Sequence, residues 1–337
     1  MKYVHCLKLL LPIFIFLSAC QPNPLEIDVS HIKLEVDIHR LDQQLFEQNQ
    51  DSIVYNVQKF RQEYDIFFQR YIENILGLGS INNPVIADSL KSFINDPYIN
   101  ELFNDVQKKY PDMLRLNKDF SDAFKHYKFY FPEKTIPKVV TFISGFNYAL
   151  ANTDSVLGIG LTMYLGSHYE HYEKLGFPRY KTANMNAVNI LPDAVKGWIS
   201  TEIEFDPFDK SLLENIIYHG KIMYILDAVL PKVEDSLKIG YSSEQLRWCD
   251  ANEENIWAHF IDKELLFSTN YKEIMKYVSE GPFTPGLPRE SPSRVGVWVG
   301  WQIVRSYMDK SSAIDLNKLL QENPMVILKA SKYKPGK

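Results

Sequence analysis

Apolar and polar positions along the 337-residue chain change their period several times, and each change marks an element. "VSHIKLEVDIHRLD" at 29–42 alternates residue by residue, the period of a half-buried strand, and predicts a strand that enters a helix near Leu41. Residues 51–75 take up a helical spacing, and Asn82-Asn83-Pro84 opens a further segment. Asp96-Pro97 and Tyr110-Pro111 separate additional helices reaching to about Tyr130, because proline removes a backbone donor and its predecessor avoids the helical region. After Pro132 and Pro137 the chain turns to short β-branched or apolar runs broken by Gly, Asn and Asp. "KVVTFIS" (138–144), "YALAN" (148–152) and "SVLGIGL" (155–161) read as strands. "MYLGSHYEHYEKLG" at 163–176 reads as irregular structure or a short helix, and from about residue 193 the spacing is mostly helical again. No repeat, low-complexity tract or linker interrupts the pattern. The expected fold is α+β: a mostly helical single domain over 29–337 with a small embedded β-sheet.

Two apolar stretches invite a membrane reading and do not sustain it. Leu212 to Leu230 carries Glu214, His219, Lys221 and Asp227, and Val295 to Val304 is only ten residues long before Arg305. Since a span needs about 20 apolar residues, both are expected as buried helices. Gly296 and Gly300 lie four apart in the second and would let a neighbouring helix approach closely.

The first twenty residues follow another logic. Lys2 and Lys8 form a basic region, Leu9 to Leu17 an apolar core too short to span, and Leu17-Ser18-Ala19-Cys20 matches a bacterial lipobox. The expectation is a lipoprotein signal peptide at 1–19 that is removed, acylation of Cys20 (the palmitate-type modification of bacterial lipoproteins), and a short tether over 20–28. Two or three acyl chains anchor a protein stably, at about 0.8 kcal/mol for each buried methylene. Of the three cysteines, Cys6 leaves with the signal and Cys20 is acylated, so Cys249 remains alone and no intramolecular disulfide can form.

Composition sharpens this. With 37 basic against 42 acidic residues there is no excess of positive charge to neutralise phosphates, so nucleic-acid binding is not expected. Loss of Lys2 and Lys8 makes the body more acidic still, and charge alone would not draw it to an anionic lipid surface.

The candidate chemistry is sparse. His168-Tyr169-Glu170-His171 places two imidazoles three residues apart, a spacing that shares one helical face, but a third ligand would have to come from afar. His219 lies in line with Ile216, Met223 and Leu226 on an apolar helical face, where a lone histidine is more often a core residue than a ligand. A zinc protease would follow it with Glu and place a second His four residues on, positions that here hold Gly220 and Met223. "DANEENIWAHF" (250–260), with Glu254, has Asn255 where a calcium loop needs glycine, and reads as a helix with a charged edge and an aromatic face. Asp206 and Asp209 read as a turn and helix-start signal. No Gly-x-Ser-x-Gly elbow, phosphate loop or dinucleotide fingerprint is present.

Several segments together resemble a known family. "IHRLDQQLF", "YLGSHYEHYEKLGFPRY", "IIYHGKIMYILDAVLP", "EENIWAHFIDKELLFSTNY" and "RVGVWVGWQIVRSYM", with the lipobox, are similar in kind and order to the gliding-motility lipoprotein GldB of Bacteroidetes. The resemblance implies a membrane-anchored cell-envelope protein acting with other gliding lipoproteins and the motility-linked secretion machinery. That family is in turn distantly similar to predicted zinc-dependent proteases. The comparison implies a degenerate zincin-like scaffold in which only His219 survives, so no catalytic residue, metal or cofactor is expected and the chain is not expected to be an enzyme. His168, His171, His219 and Glu254 remain as a speculative pocket or vestigial site. An extended peptide could still pair with an edge strand near "SVLGIGL". The alternatives are a divergent metallopeptidase and a surface lipoprotein that captures peptide or glycan. The residues after Cys20 lack the acidic run that would direct such a lipoprotein to the cell surface, so a periplasm-facing position is expected.

Overall fold

A computed structural model describes residues 23–47, 53–311, 313 and 315–335. The segment expected as a signal peptide, and Cys20, lie outside the described residues. Within residues 23–28, expected as part of the tether, Leu25 is buried and the Asn23 side-chain amide donates to the Pro231 carbonyl at 3.2 Å, while Pro24, Glu26 and Asp28 are exposed.

The alternating segment yields only a two-residue strand, β1 (His39–Arg40), which leads into α1 (Leu41–Phe46). Its alternation is real, with Val36 and Ile38 buried, but its backbone is satisfied by side chains. The N–H of Val36 donates to Ser121 Oγ (2.8 Å) and that of Ile38 to Asn117 Oδ1 (3.1 Å). An extended run thus lies along a helix rather than in a sheet. Next come α2 (Ile53–Arg70), α3 (Ile86–Asn95), α4 (Pro97–Lys109) and α5 (Leu114–Tyr130). Helix α2 is broken at Asp65 (φ 45°) and continues into a π-helical turn at Tyr71–Ile75. That wider turn buries Tyr71, Ile72 and Ile75, and Tyr71 donates to the Ile143 carbonyl at 2.7 Å. Asp96 caps α4 from both Tyr98 and Ile99 N–H, with Pro97 in the first turn, as its Asp-Pro step implies.

Strands β2 (Lys138–Phe142), β3 (Leu150–Asn152) and β4 (Val156–Gly160) complete one sheet in the order β1-β2-β4-β3. β1, β2 and β4 are parallel, and β3 is antiparallel at the edge. Both faces are covered. Val140, Phe142 and Val156 join the core under α1–α3, whereas Val139, Leu157 and Ile159 join the larger core of the C-terminal helices. A sheet buried on both faces reads as unbroken apolar runs, which is how β2 and β4 appear.

The C-terminal layer contains α6 (Glu170–Lys174), α7 (Arg179–Thr182), α8 (Ile190–Thr201), α9 (Leu212–Val229), α10 (Asp235–Ile239), α11 (Ser243–Ala251) and α12 (Glu253–Asp262). It ends with α13 (Tyr271–Val278), α14 (Val295–Met308), α15 (Leu316–Gln321) and α16 (Pro324–Ser331). Helix α9 is the hub. It is buried on nearly all sides and crosses α14 at backbone contact: a Cβ on Gly220 would run into the backbone of Gly300, and one on Gly300 into the carbonyl of Ile216. The two glycines let the axes approach closely, as the spacing in α14 predicts. Among the described residues, no helix is long and apolar enough to cross a membrane.

Candidate functional site

A helix as buried as α9 carries polar side chains only at a cost of roughly 1–3 kcal/mol each if they lack partners. The charged side chains and the amide all have partners. Ser211 and Glu214 form a reciprocal capping box, and the Asn215 amide donates to the Ser211 carbonyl. Lys221 Nζ donates to the carbonyls of Leu320 (3.0 Å) and Glu322 (2.7 Å), closing the end of α15. Asp227 accepts from Trp301 Nε1, Arg305 and Lys238, each at a shortest distance of 2.8 Å. Arg305 also binds Asp235 and lies over the Trp301 ring, 3.8 Å from its centroid. Burial would raise the Asp235 carboxyl, but Arg305 and Lys238 outweigh it and hold it below its ordinary range.

The hydroxyls of Tyr218 and Tyr224 have no hydrogen-bond partner among the described residues, and nor does His219. The His219 imidazole packs edge-on against Tyr218, 5.0 Å between ring centres. Desolvation, reinforced by the positive charge of Arg294, pushes its imidazole down to about 4, so it is neutral at physiological pH. It is half-buried rather than sealed in the core, because α9 turns this face toward a cleft.

The cleft has two lobes of about 680 and 520 Å³ that share Ala149, Tyr164, Asp193, Glu280 and Arg294 as walls. His219 lines the smaller lobe beside Leu150 of β3. Arg294 stands at the junction. It adopts a left-handed backbone (φ 61°) at the start of α14, donates through Nη2 to the Ile239 carbonyl at 2.8 Å, and leaves Nε buried without a partner. Lys196 pairs with Asp193 at 3.2 Å. The lining is therefore mixed: the cations Arg294, Lys181 and Lys196, the carboxylates Asp193 and Glu280, a neutral imidazole and several apolar side chains.

β3 gives this cleft a backbone edge. Ala149 accepts from Gly160 N–H and Thr153 donates to the Val156 carbonyl, both at 2.9 Å, so the intervening Leu150 and Asn152 direct their backbone groups away from β4. Arg70 occupies the Asn152 carbonyl at 3.3 Å. The edge strand expected near "SVLGIGL" is its antiparallel neighbour in "YALAN", while "SVLGIGL" itself is interior and paired on both sides.

The residues singled out from sequence do not converge. His168 is exposed, and Glu254 is exposed on α12, whose Ile256 and Phe260 form the expected apolar face. Neither shares a ligand group with His219. Asp206 accepts from Phe208 N–H in a turn, while the start of α9 is capped by Ser211. Cys249 is a buried free thiol, its ionisation suppressed by burial. His171 does acquire neighbours, but they are Glu170 and Glu101 from α4 rather than His168. Arg294, Asp193 and Glu101 carried no signal in the sequence, since each is brought in by an element distant along the chain.

Around His219, the position that would hold a catalytic glutamate is Gly220, sealed against α14, and the position for a second imidazole is Met223, which is buried. Fold and cleft thus define a helical α+β scaffold with a mixed-polarity groove beside an edge strand and a single histidine of its central helix on the groove wall. A family model described as "Gliding motility protein GldB" matches residues 22–335, nearly the entire chain. The chain belongs to this family of gliding-motility lipoproteins, components of the cell envelope. No curated protein and no solved structure matches it.

Proposed function

We propose that this chain is a non-catalytic, lipid-anchored envelope protein that serves gliding by holding an extended segment of another motility component in the cleft beside β3. The observation that carries the reading is the state of His219. It faces the cleft without a hydrogen bond to a described residue, yet Gly220 and Met223 stand where a metallopeptidase needs its base and second ligand. The outward backbone groups of Leu150 and the mixed lining support main-chain pairing with a peptide. An antiparallel edge strand near a buried helix bearing a single histidine also supports descent from a zincin-like scaffold. In this reading residues 1–19 are removed, Cys20 bears the lipid, and the folded body faces the periplasm with partners among the gliding lipoproteins and the motility-linked secretion machinery.

The test is made in cells and on the purified chain. His219→Ala removes a side chain from the cleft wall and should weaken capture at equal protein level, whereas a chelator-sensitive peptidase activity of the purified chain that His219→Ala abolishes would sink the non-catalytic reading in favour of a hydrolase. A photo-crosslinking residue at Leu150 should capture a discrete envelope protein, whereas the same probe at exposed Leu114 should not. Cys20→Ala should release the chain from membranes and abolish labelling by an alkyne palmitate analogue.

A further inference from the structure

We propose that Glu101, Glu170 and His171 bind a divalent transition-metal ion of the zinc type, tying α4 to the aromatic wall of the cleft. Among the described residues, these three alone bring three ligand atoms of His, Cys, Asp or Glu within 4.8 Å of one another. Nε2 of His171 lies 3.4 Å from Glu101 Oε1 and 3.9 Å from Glu170 Oε1. Metal–nitrogen and metal–oxygen bonds of about 2.1 Å place neighbouring ligands of a tetrahedron about 3.4 Å apart, so the His171–Glu101 pair already stands at a coordination edge and the exposed Glu170 carboxylate needs only a small movement to join it.

An independent observation is the state of the imidazole itself. His171 is 6% exposed, and its Nε2 is buried without a hydrogen bond, although it faces two carboxylates. A neutral ring would turn its lone pair toward negative oxygens or waste a poorly aimed N–H, and either arrangement costs free energy in a desolvated position. A cation between the three groups resolves the conflict. The ring is held ready for it by Tyr98 and Tyr169, whose centroids are 5.3 and 5.1 Å away. Glu101 and Glu170 are more than half exposed and free to adjust, and Glu170 engages Lys174 through its other oxygen, Oε2, at 3.1 Å. One imidazole and two carboxylates suit zinc-like ions better than calcium, with water completing the shell.

Such a link would have a structural consequence. Phe146 stacks on His171 at 6.3 Å and lines the larger lobe of the cleft, so an ion here would fix that wall relative to α4. The proposal does not depend on any role for His219.

The experiment uses the full chain, untagged, in detergent, stripped by a chelator and titrated with zinc chloride against a chromophoric competitor, with thermal unfolding in parallel. Wild type should bind one zinc per chain and unfold at higher temperature when loaded. Glu101→Gln and Glu170→Gln, at exposed positions that leave the fold intact, should each weaken binding at least about tenfold, and His171→Ala should abolish it. His168→Ala and His219→Ala should bind as wild type. The proposal is overturned if wild type takes up no stoichiometric zinc, if both glutamine variants bind unchanged, or if binding is lost in His219→Ala, which would put the ion on α9.

Discussion

Asp227 and His219 stand about two turns apart on the same buried helix and illustrate opposite treatments of a polar side chain. Asp227 is saturated by Arg305, Lys238 and Trp301, which lock α9 to α10 and α14. His219 makes no hydrogen bond to a described residue, is kept neutral by its surroundings, and looks into a cleft. The first arrangement is that of a structural joint, where removing one partner strands the others. The second is what a binding surface retains, since a group satisfied within the fold has nothing to offer a ligand.

The contrast can be broken most decisively at the joint. Asp227→Ala leaves Arg305 and Lys238 facing each other without their shared carboxylate and should cost about 3–5 kcal/mol, read from urea unfolding. A loss below about 1 kcal/mol would mean that Asp235 alone can hold both cations. Next in size is the helix crossing: Gly300→Ala drives a methyl into the Ile216 carbonyl and should cost about 1–3 kcal/mol, whereas an alanine that leaves the unfolding midpoint unchanged would show that the helices separate freely.

The pH dependence sharpens the His219 side. Because its folded-state pKa is depressed to about 4 from 6.5, the unfolded chain takes up the proton first. Its contribution is complete above the ordinary value and is lost as pH falls from about 6.5 toward 4, a change of order 2–3 kcal/mol. His219→Gln should flatten this slope relative to wild type in matched urea titrations; parallel slopes would show that the imidazole is solvated. The smallest effect is expected from His219→Ala at pH 7.5. With no hydrogen bond to lose, it should shift stability by less than about 1 kcal/mol, and a larger loss would reveal a structural partner.

Much of the secondary structure was legible because it is written locally. The Asp96-Pro97 start of α4, the apolar runs of β2 and β4, and the buried character of Leu212 to Leu230 all follow from spacing and backbone chemistry. The glycines of α14 were legible as a packing surface for the same reason. The strand expected over 29–42 shrank to His39–Arg40 because period-two burial records an extended chain and not its hydrogen-bond partner, which here is a pair of α5 side chains. The site was much less legible. His219 was expected as a core histidine because its helical neighbours are apolar, and that face becomes a cleft wall only when α8, β3 and the Arg294 turn surround it. His171 drew attention for its spacing to His168, but the fold pairs it with Glu101, a residue on another helix that no local pattern links to it.

By itself, then, the sequence determined most of the helices and strands, the acidic balance, and the glycine and methionine that follow His219 at one and four residues, since these depend on neighbours along the chain. Only the tertiary structure decided which strand is the edge, which polar groups are satisfied, and where Arg294 and Glu101 come to stand. Those outcomes depend on groups far apart in sequence meeting in a desolvated space, where the free energy of each side chain is set by what surrounds it.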